Sequence, residues 1–266
     1  MTREDSTFSS PPRGVRSGRP LGARARQSGA TMVEFAIISP FAILVVLGII
    51  QTGLMFNAKQ IMNEAASLAA RAGAVQNAQL SAMQDVMVKA LIPFYQDTTN
   101  GNDLTRLGGA WVAAKTDTLV CIPLVQCNLK IEICNPTSAA FDDFGVTSSV
   151  FGSSHTYIPN DNLEYRPHAS QGQSSGLSIQ DANALKIKVT YGYPLKVPLM
   201  QSVVKAVMCG IQGAIDGFDK TSQSPSAGAS DCLTYYSQGR IPIVTYATVQ
   251  MQSPAWRDDI DGGACK

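Results

Sequence analysis

Few side chains in this 266-residue sequence have both the type and the spacing that chemistry requires. Gly172-Gln173-Ser174-Ser175-Gly176 matches the Gly-x-Ser-x-Gly string around a nucleophilic serine, and His155 and His168 are the only histidines available as its base. Such an elbow works between a strand and a helix. Here the flanks are Ser-Gln and Leu-Ser-Ile-Gln-Asp in a Ser/Gly-rich stretch, so the string reads as a loop and not as an acyl-transfer site. Asp258, Asp259 and Asp261 before Gly262 follow part of a calcium-loop pattern but lack its closing glutamate, and read as a solvated tail.

The six cysteines are Cys121, Cys127, Cys134, Cys209, Cys232 and Cys265. Their spacings lack the short pairs of zinc sites, and no Cys-x-x-Cys-His run for haem is present. Disulfides are the favoured reading. Six cysteines allow about 15 pairings; we expect Cys209 with Cys232 and one bridge within the group Cys121, Cys127 and Cys134. No metal, cofactor or catalytic set is predicted.

The remaining chemistry is electrostatic. Glu34 stands directly before Phe35–Phe56, a run of 22 residues without a charge. At about 1.5 Å per residue the run spans roughly 33 Å, enough for a hydrocarbon core of about 30 Å. A carboxylate at the edge of such a helix is costly unless it finds a partner. A second reading keeps Glu34 local: Thr31 and Glu34 have capping-box spacing, and an acid in a first helical turn is favoured by the helix dipole.

The elements around this residue follow from charge and periodicity. Residues 1–29 carry six arginines and two acids, a net of +4, while the other 237 residues carry 15 bases and 18 acids, a net of −3. A basic arm alone would fit nucleic acid, but one leading into a charge-free helix fits a membrane, with the arginines held on the cytoplasmic side. All six cysteines lie beyond the apolar run, which places them in an oxidising, extracytoplasmic space. A soluble cytoplasmic enzyme is thereby excluded. The apolar run is also longer than a secretory signal core, and Phe56-Asn57-Ala58 is a poor cleavage site, so the helix is retained.

Residues 1–29 therefore read as a cytoplasmic leader, 30–56 as a membrane helix and 57–93 as an amphipathic helical extension. In the extension Ile61, Ala65, Leu68, Ala69 and Ala72 fall at helical spacing. Gly73 and Gln76-Asn77 bend or end this helix, and a second one runs from about Leu80 to Leu91 before Pro93. Residues 94–266 read as a β-rich domain with strands at Trp111–Ile122, Leu129–Ile133, Leu185–Tyr193 and Ile241–Met251. Leu199–Ile215 has helical spacing, and residues 135–182 and 219–231 read as loops. The fold class is α+β, a long N-terminal helix followed by a small antiparallel domain.

Residues 28–75 resemble the N-terminal signature of TadE-like minor pseudopilins of the Tad (Flp, type IVc) pilus system. The resemblance rests on Gly29, four residues, then Glu34-Phe35, on Pro40 inside the apolar helix, and on the closing Ala-Ala-Arg-Ala-Gly-Ala stretch. Val189–Leu195 and Ile241–Ser253 are similar to later TadE-like segments. The chain departs from the pattern in its long cysteine-bearing inserts, and it lacks the Asp-x-Ser-x-Ser motif of the larger TadG-like relatives.

The resemblance implies a pilin-like, non-enzymatic protein cleaved between Gly29 and Ala30 by a prepilin peptidase. Glu34 would then be the fifth residue, pairing with the new amino terminus of a neighbouring subunit, with Phe35 beside it. It further implies other minor pseudopilins and assembly-platform proteins as partners, residence in the bacterial inner membrane with a periplasmic C-terminal domain, and a part in assembling, priming or tipping a pilus. Gly48, Gly53 and the alanines from Ala66 to Ala72 would let such helices approach closely. The competing functions are a signal-anchored periplasmic enzyme and a tethered binding module unrelated to pili.

Overall fold

The computed structural model describes residues 30–96, 99, 101–119, 128–150, 153–167, 170–207, 235–258, 260 and 265. The chain divides between Val45 and Val46 into two units. Helix α1, Ala30–Val75, begins in the first unit, and the whole of the first unit's described part is helix. Pro40 lies inside it and removes one main-chain donor from the ladder. Strong helix formers and uninterrupted apolar side chains carry the rest.

In the second unit α1 changes character. Ala58, Met62, Ala65, Ala66, Ala69, Ala70 and Ala74 are buried in one hydrophobic core. Their spacing of three and four residues puts them on one stripe, and their small size lets the helix axis lie close to what it covers. Leu68, expected on this stripe, is instead exposed, and Ala72 is only half-buried. Met62 is fully buried, and Ile61 beside it packs half-buried against the same core.

The helix stops through a left-handed pair, Asn77 (φ 56°) and Ala78 (φ 60°). Asn tolerates this conformation, and Ala pays for it with steric strain of about 1–2 kcal/mol. The turn is held by the chain's far end: the Asn77 N–H donates to Ser253 Oγ at 2.8 Å and its Nδ2 to Pro254 O at 2.8 Å. Gly73 does not bend the helix. A Cβ there would meet Met83 Sδ at 2.8 Å and Leu185 Cδ2 at 2.9 Å, so this glycine permits close packing. Helix α2, Leu80–Leu91, returns Met83, Met87 and Leu91 to the core.

The core's other wall is a three-stranded antiparallel sheet of order β1-β4-β5, comprising Leu129–Asn135, Ala184–Pro194 and Arg240–Gln250. In the central strand Leu185, Ile187, Val189, Tyr191 and Tyr193 are all buried, while Lys186 and Lys188 alternate with them. Lys188 reaches Glu132 on β1 at 3.4 Å. The central strand was legible from alternation, and the two flanking it from short apolar stretches set between turn-forming clusters.

Three expectations fail. Trp111–Ile122 is not a strand: its described part belongs to helix α3, Asp103–Leu119, which packs beside α2 and the short helical turn Ile92–Tyr95. Ala110, Ala114 and Thr118, spaced by four, are its buried face. Residues 135–182 are not loops throughout. They contain α4 (Ser138–Phe144), the strands β2 (Val146–Val150) and β3 (Ser153–Ile158), and α5 (Ile179–Ala182). The acidic tail is not free either: β6, Ala255–Trp256, joins β2 and β3 in a second antiparallel sheet, and Ile260 is buried. Residues 200–207 are helical, as their spacing predicted.

Candidate functional site

Glu34 lies in α1, and its side chain is exposed. With the helix beginning at Ala30, Thr31 is inside it and not at an N-cap position, and Glu34 falls just past the first turn. The capping-box reading therefore fails. No ion pair of Glu34 within the chain occurs among the described residues. Gly29 lies outside the described residues; Ala30 is the first residue of α1.

Beyond Glu34 the helix carries no charge until Lys59. On either side of Glu34, Met32, Val33, Phe35, Ile37, Ile38, Phe41, Ile43, Leu44, Val45, Val46, Ile49 and Ile50 are all exposed, Phe35 at 73%. Leaving twelve such side chains in water costs on the order of 20 kcal/mol at about 1.5–3 kcal/mol each. A surface of this size is an interaction surface, for lipid or for other helices. By length and composition α1 is able to cross a membrane.

Residues 29–71 match the family model described as TadE-like protein. This segment is TadE-like. The match spans Glu34-Phe35, Pro40 and the start of the small-residue stretch, which bears out the resemblance over those positions. Neither a curated protein nor a solved structure matches the chain. The TadE-like segment ends where α1 is fully seated on the sheet, so the match covers the apolar helix and most of its buried stripe.

Outside the TadE-like segment, the structure assembles a polar cluster that spacing did not reveal. Arg240 on β5 donates to Asp117 on α3, with Nη2–Oδ1 2.6 Å and Nη1–Oδ2 3.2 Å. The hydroxyls of Tyr95 and Tyr191 donate to Asp117 Oδ2 at 2.5 and 3.2 Å, and Asn128 Nδ2 donates to Oδ1 at 3.1 Å. Burial opposes the Asp117 charge, but hydrogen bonds from Arg240 and the two tyrosines prevail and hold its pKa below the ordinary carboxylate value. Burial, with the Asp117 charge adding to it, pushes both tyrosine hydroxyls well above their usual range. An acid held in its charged form, an arginine bonded to it through both Nη atoms and two neutral phenols make a clasp between α3 and the sheet, not an acid–base pair. Ala110, Ala114 and Thr118 at a spacing of four were the available signal for the helix that delivers Asp117.

The other candidate residues are dispersed. Ser174 sits in an exposed turn whose N–H groups, with those of Ser175, point at Asp143; the Ser175 hydroxyl also donates to that carboxylate at 2.7 Å. These bonds, led by the Ser175 hydroxyl, lower the Asp143 pKa to about 2. The arrangement is a turn lock without the strand and helix of a nucleophile elbow. His155 lies on β3 and not in a loop, stacked on Trp256 with ring centroids 4.2 Å apart, and its Nδ1 is 2.7 Å from Asp258 Oδ2. His168, Asp259 and Asp261 lie outside the described residues.

Cys134 is bonded to Cys265, 131 residues away, with Cα atoms 4.9 Å apart. This bond takes Cys134 out of the expected group and leaves Cys121 with Cys127 as the bridge that group still allows. Cys121, Cys127, Cys209 and Cys232 lie outside the described residues, as does the suggested pairing of the last two.

Proposed function

We propose that this chain is a minor pseudopilin of a Tad-type pilus system, made as a precursor and cleaved after Gly29 by a prepilin peptidase. In this reading α1 crosses the bacterial inner membrane once, with the basic leader cytoplasmic and the domain from residue 94 periplasmic. The observation that carries it is the division of one helix into two surfaces. From Met32 to Ile50 the apolar side chains are exposed, whereas from Ala58 to Ala74 a small-residue stripe is buried on the chain's own sheet.

The mechanism is helix bundling. Removing the leader eliminates its +4 charge and leaves an amino group at Ala30, one helical turn from Glu34. Burial of Glu34 among other helices becomes favourable only once such a cation neutralises it, in the same chain or in a neighbour. Glu34 thereby fixes the axial register of packed helices, and Phe35 adds apolar area beside it. The partners are other minor pseudopilins and assembly-platform proteins, and the role is non-enzymatic: assembling, priming or tipping the filament.

Intact-mass and N-terminal peptide analysis from cells containing the matching peptidase tests the reading. The expected mature chain starts at Ala30. An intact Met1 leader, or a start beyond Phe56, overturns it.

A further inference from the structure

The folded domain reaches back along α1 into the charge-free stretch. Gln51, 3% exposed, accepts the Val197 N–H at 3.1 Å through Oε1, so the chain segment leading into helix 200–207 is fastened to α1 there. Phe35 to Ile50, the part of the apolar run before this fastening, is 16 residues, or about 24 Å, short of a hydrocarbon core of about 30 Å; from Gln51 on the domain covers one side of α1 while Thr52, Gly53 and Phe56 stay exposed, so a core of full thickness extends to the level of the domain's base. Either the bilayer thins or the base of the domain enters it.

The base is built for entry. Met200, Val203, Val204 and Val207 fall on one face of helix 200–207 and line a groove of about 360 Å³ against Gly48, Gln51, Thr52 and Met55 of α1. Leu199 is 69% exposed and held at φ 67°, a conformation costly for a branched side chain, and Val207 is also exposed. Lys205 is exposed on the opposite side of the helix, where a cation meets headgroups. Gln51 Nε2 is buried with no hydrogen-bond acceptor among the described residues, although it borders the groove. A buried amide donor beside an otherwise apolar groove matches a ligand with an apolar chain and an ester carbonyl.

Building on the membrane reading of α1, we propose that residues 199–207 form an interfacial foot. It lies in the bilayer leaflet on the side of the folded domain, and a phospholipid acyl chain occupies the groove. The foot supplies the apolar depth that the uncovered helix lacks, and it fixes how far the domain stands from the membrane. Leu199 and Val207 face lipid, while Lys205 stays at headgroup level.

The test uses the full chain in phosphatidylethanolamine–phosphatidylglycerol vesicles, with the photo-crosslinker p-benzoylphenylalanine placed singly at Leu199, Val207, Ile38 or Leu104. Ile38 is exposed on the apolar part of α1, and Leu104 is exposed on α3. Mass spectrometry is expected to find phospholipid adducts at positions 199, 207 and 38 and none at 104. Adducts at 38 without any at 199 and 207 overturn the foot and leave the membrane helix standing. Loss of adducts at 38 overturns the membrane reading, and the foot with it. Adducts at 199 and 207 to a second protein chain in place of lipid also overturn the foot.

Discussion

Arg240 and Asp117, 123 residues apart in sequence, form a two-pronged ion pair that closes α3 onto the edge strand β5. Both side chains are more than four-fifths buried, so removing one leaves the other a desolvated charge. Asp117→Ala is therefore expected to destabilise the domain by about 2–4 kcal/mol, near the range for a broken buried pair. Arg166→Ala, which removes a looser and exposed pair with Asp161 at 3.8 Å, is expected to cost under about 1 kcal/mol. Denaturant titration of the full chain in detergent micelles measures both; equal effects would show that Asp117 is not a clasp.

Acid should loosen the domain through two carboxylates. The folded-state pKa values of Asp117 and Asp143 are both depressed, so each adds stability that is complete above the ordinary carboxylate value of about 4 and is lost as pH falls through the folded value. For Asp143 that loss runs from about 4 down to about 2. Asp143→Asn is expected to flatten the fall in melting temperature over this window and to leave the curve above pH 6 parallel to that of the parent. A parallel acid limb would place the titration elsewhere.

Close packing at the end of α1 gives a steric prediction. A Cβ at Gly73 would press on Met83 and Leu185, whereas one at Gly53 would meet nothing within 4 Å. The obstructing atoms are ends of flexible side chains, so Gly73→Ala should be tolerated at small cost, while Gly73→Val overpacks the site by about 1–3 kcal/mol. Gly53→Val should leave the melting temperature of the domain unchanged. Equal melting of the two valine variants would mean that Met83 and Leu185 yield without resistance.

Strand β4 was legible because Leu185 to Tyr193 alternate with Lys186, Lys188 and Thr190, and β1 and β5 because each is a short apolar run between turn-forming clusters. Helix α3 was not. Gly108 and Gly109 weaken its helical signal, and the run from Trp111 to Ile122 is rich in residues that favour strands. Its position is decided by packing of Ala110, Ala114 and Thr118, none of which stands out in a hydrophobic profile. The second sheet was hidden for the opposite reason. Ser148, Ser149, Ser153 and Ser154 make its strands too polar to notice, and its third member is only Ala255–Trp256. Glu34 was legible because a charge beside 22 uncharged residues is a local contrast, while the Asp117 cluster is assembled from five separate segments.

Tail anchoring depends on covalent chemistry that two residues share. Cys265 is tied to Cys134 on β1, and Ile260 is buried in the hydrophobic core. Cys265→Ser is expected to lower stability by about 2–4 kcal/mol and to expose the chain after Trp256 to limited proteolysis. Alkylation of the native chain before and after reduction should show position 265 labelled only after reduction. Labelling of Cys265 without reductant would remove the bond from the account.

The two residues at the membrane edge should separate processing from assembly. Gly29 lies at the proposed cut, where a side chain would obstruct the approach of a peptidase to extended backbone. Gly29→Leu is therefore expected to accumulate the precursor with its 29-residue leader, read directly by intact mass. Glu34 acts later in this reading, through its charge among packed helices, so Glu34→Ala should be cleaved at the normal position and yet fail to support piliation. Glu34→Asp keeps the charge and is expected to restore piliation in part. If Glu34→Ala cells carry pili in normal number, the carboxylate does not set helix register, and the exposed apolar face from Met32 to Ile50 must align the subunits by shape alone.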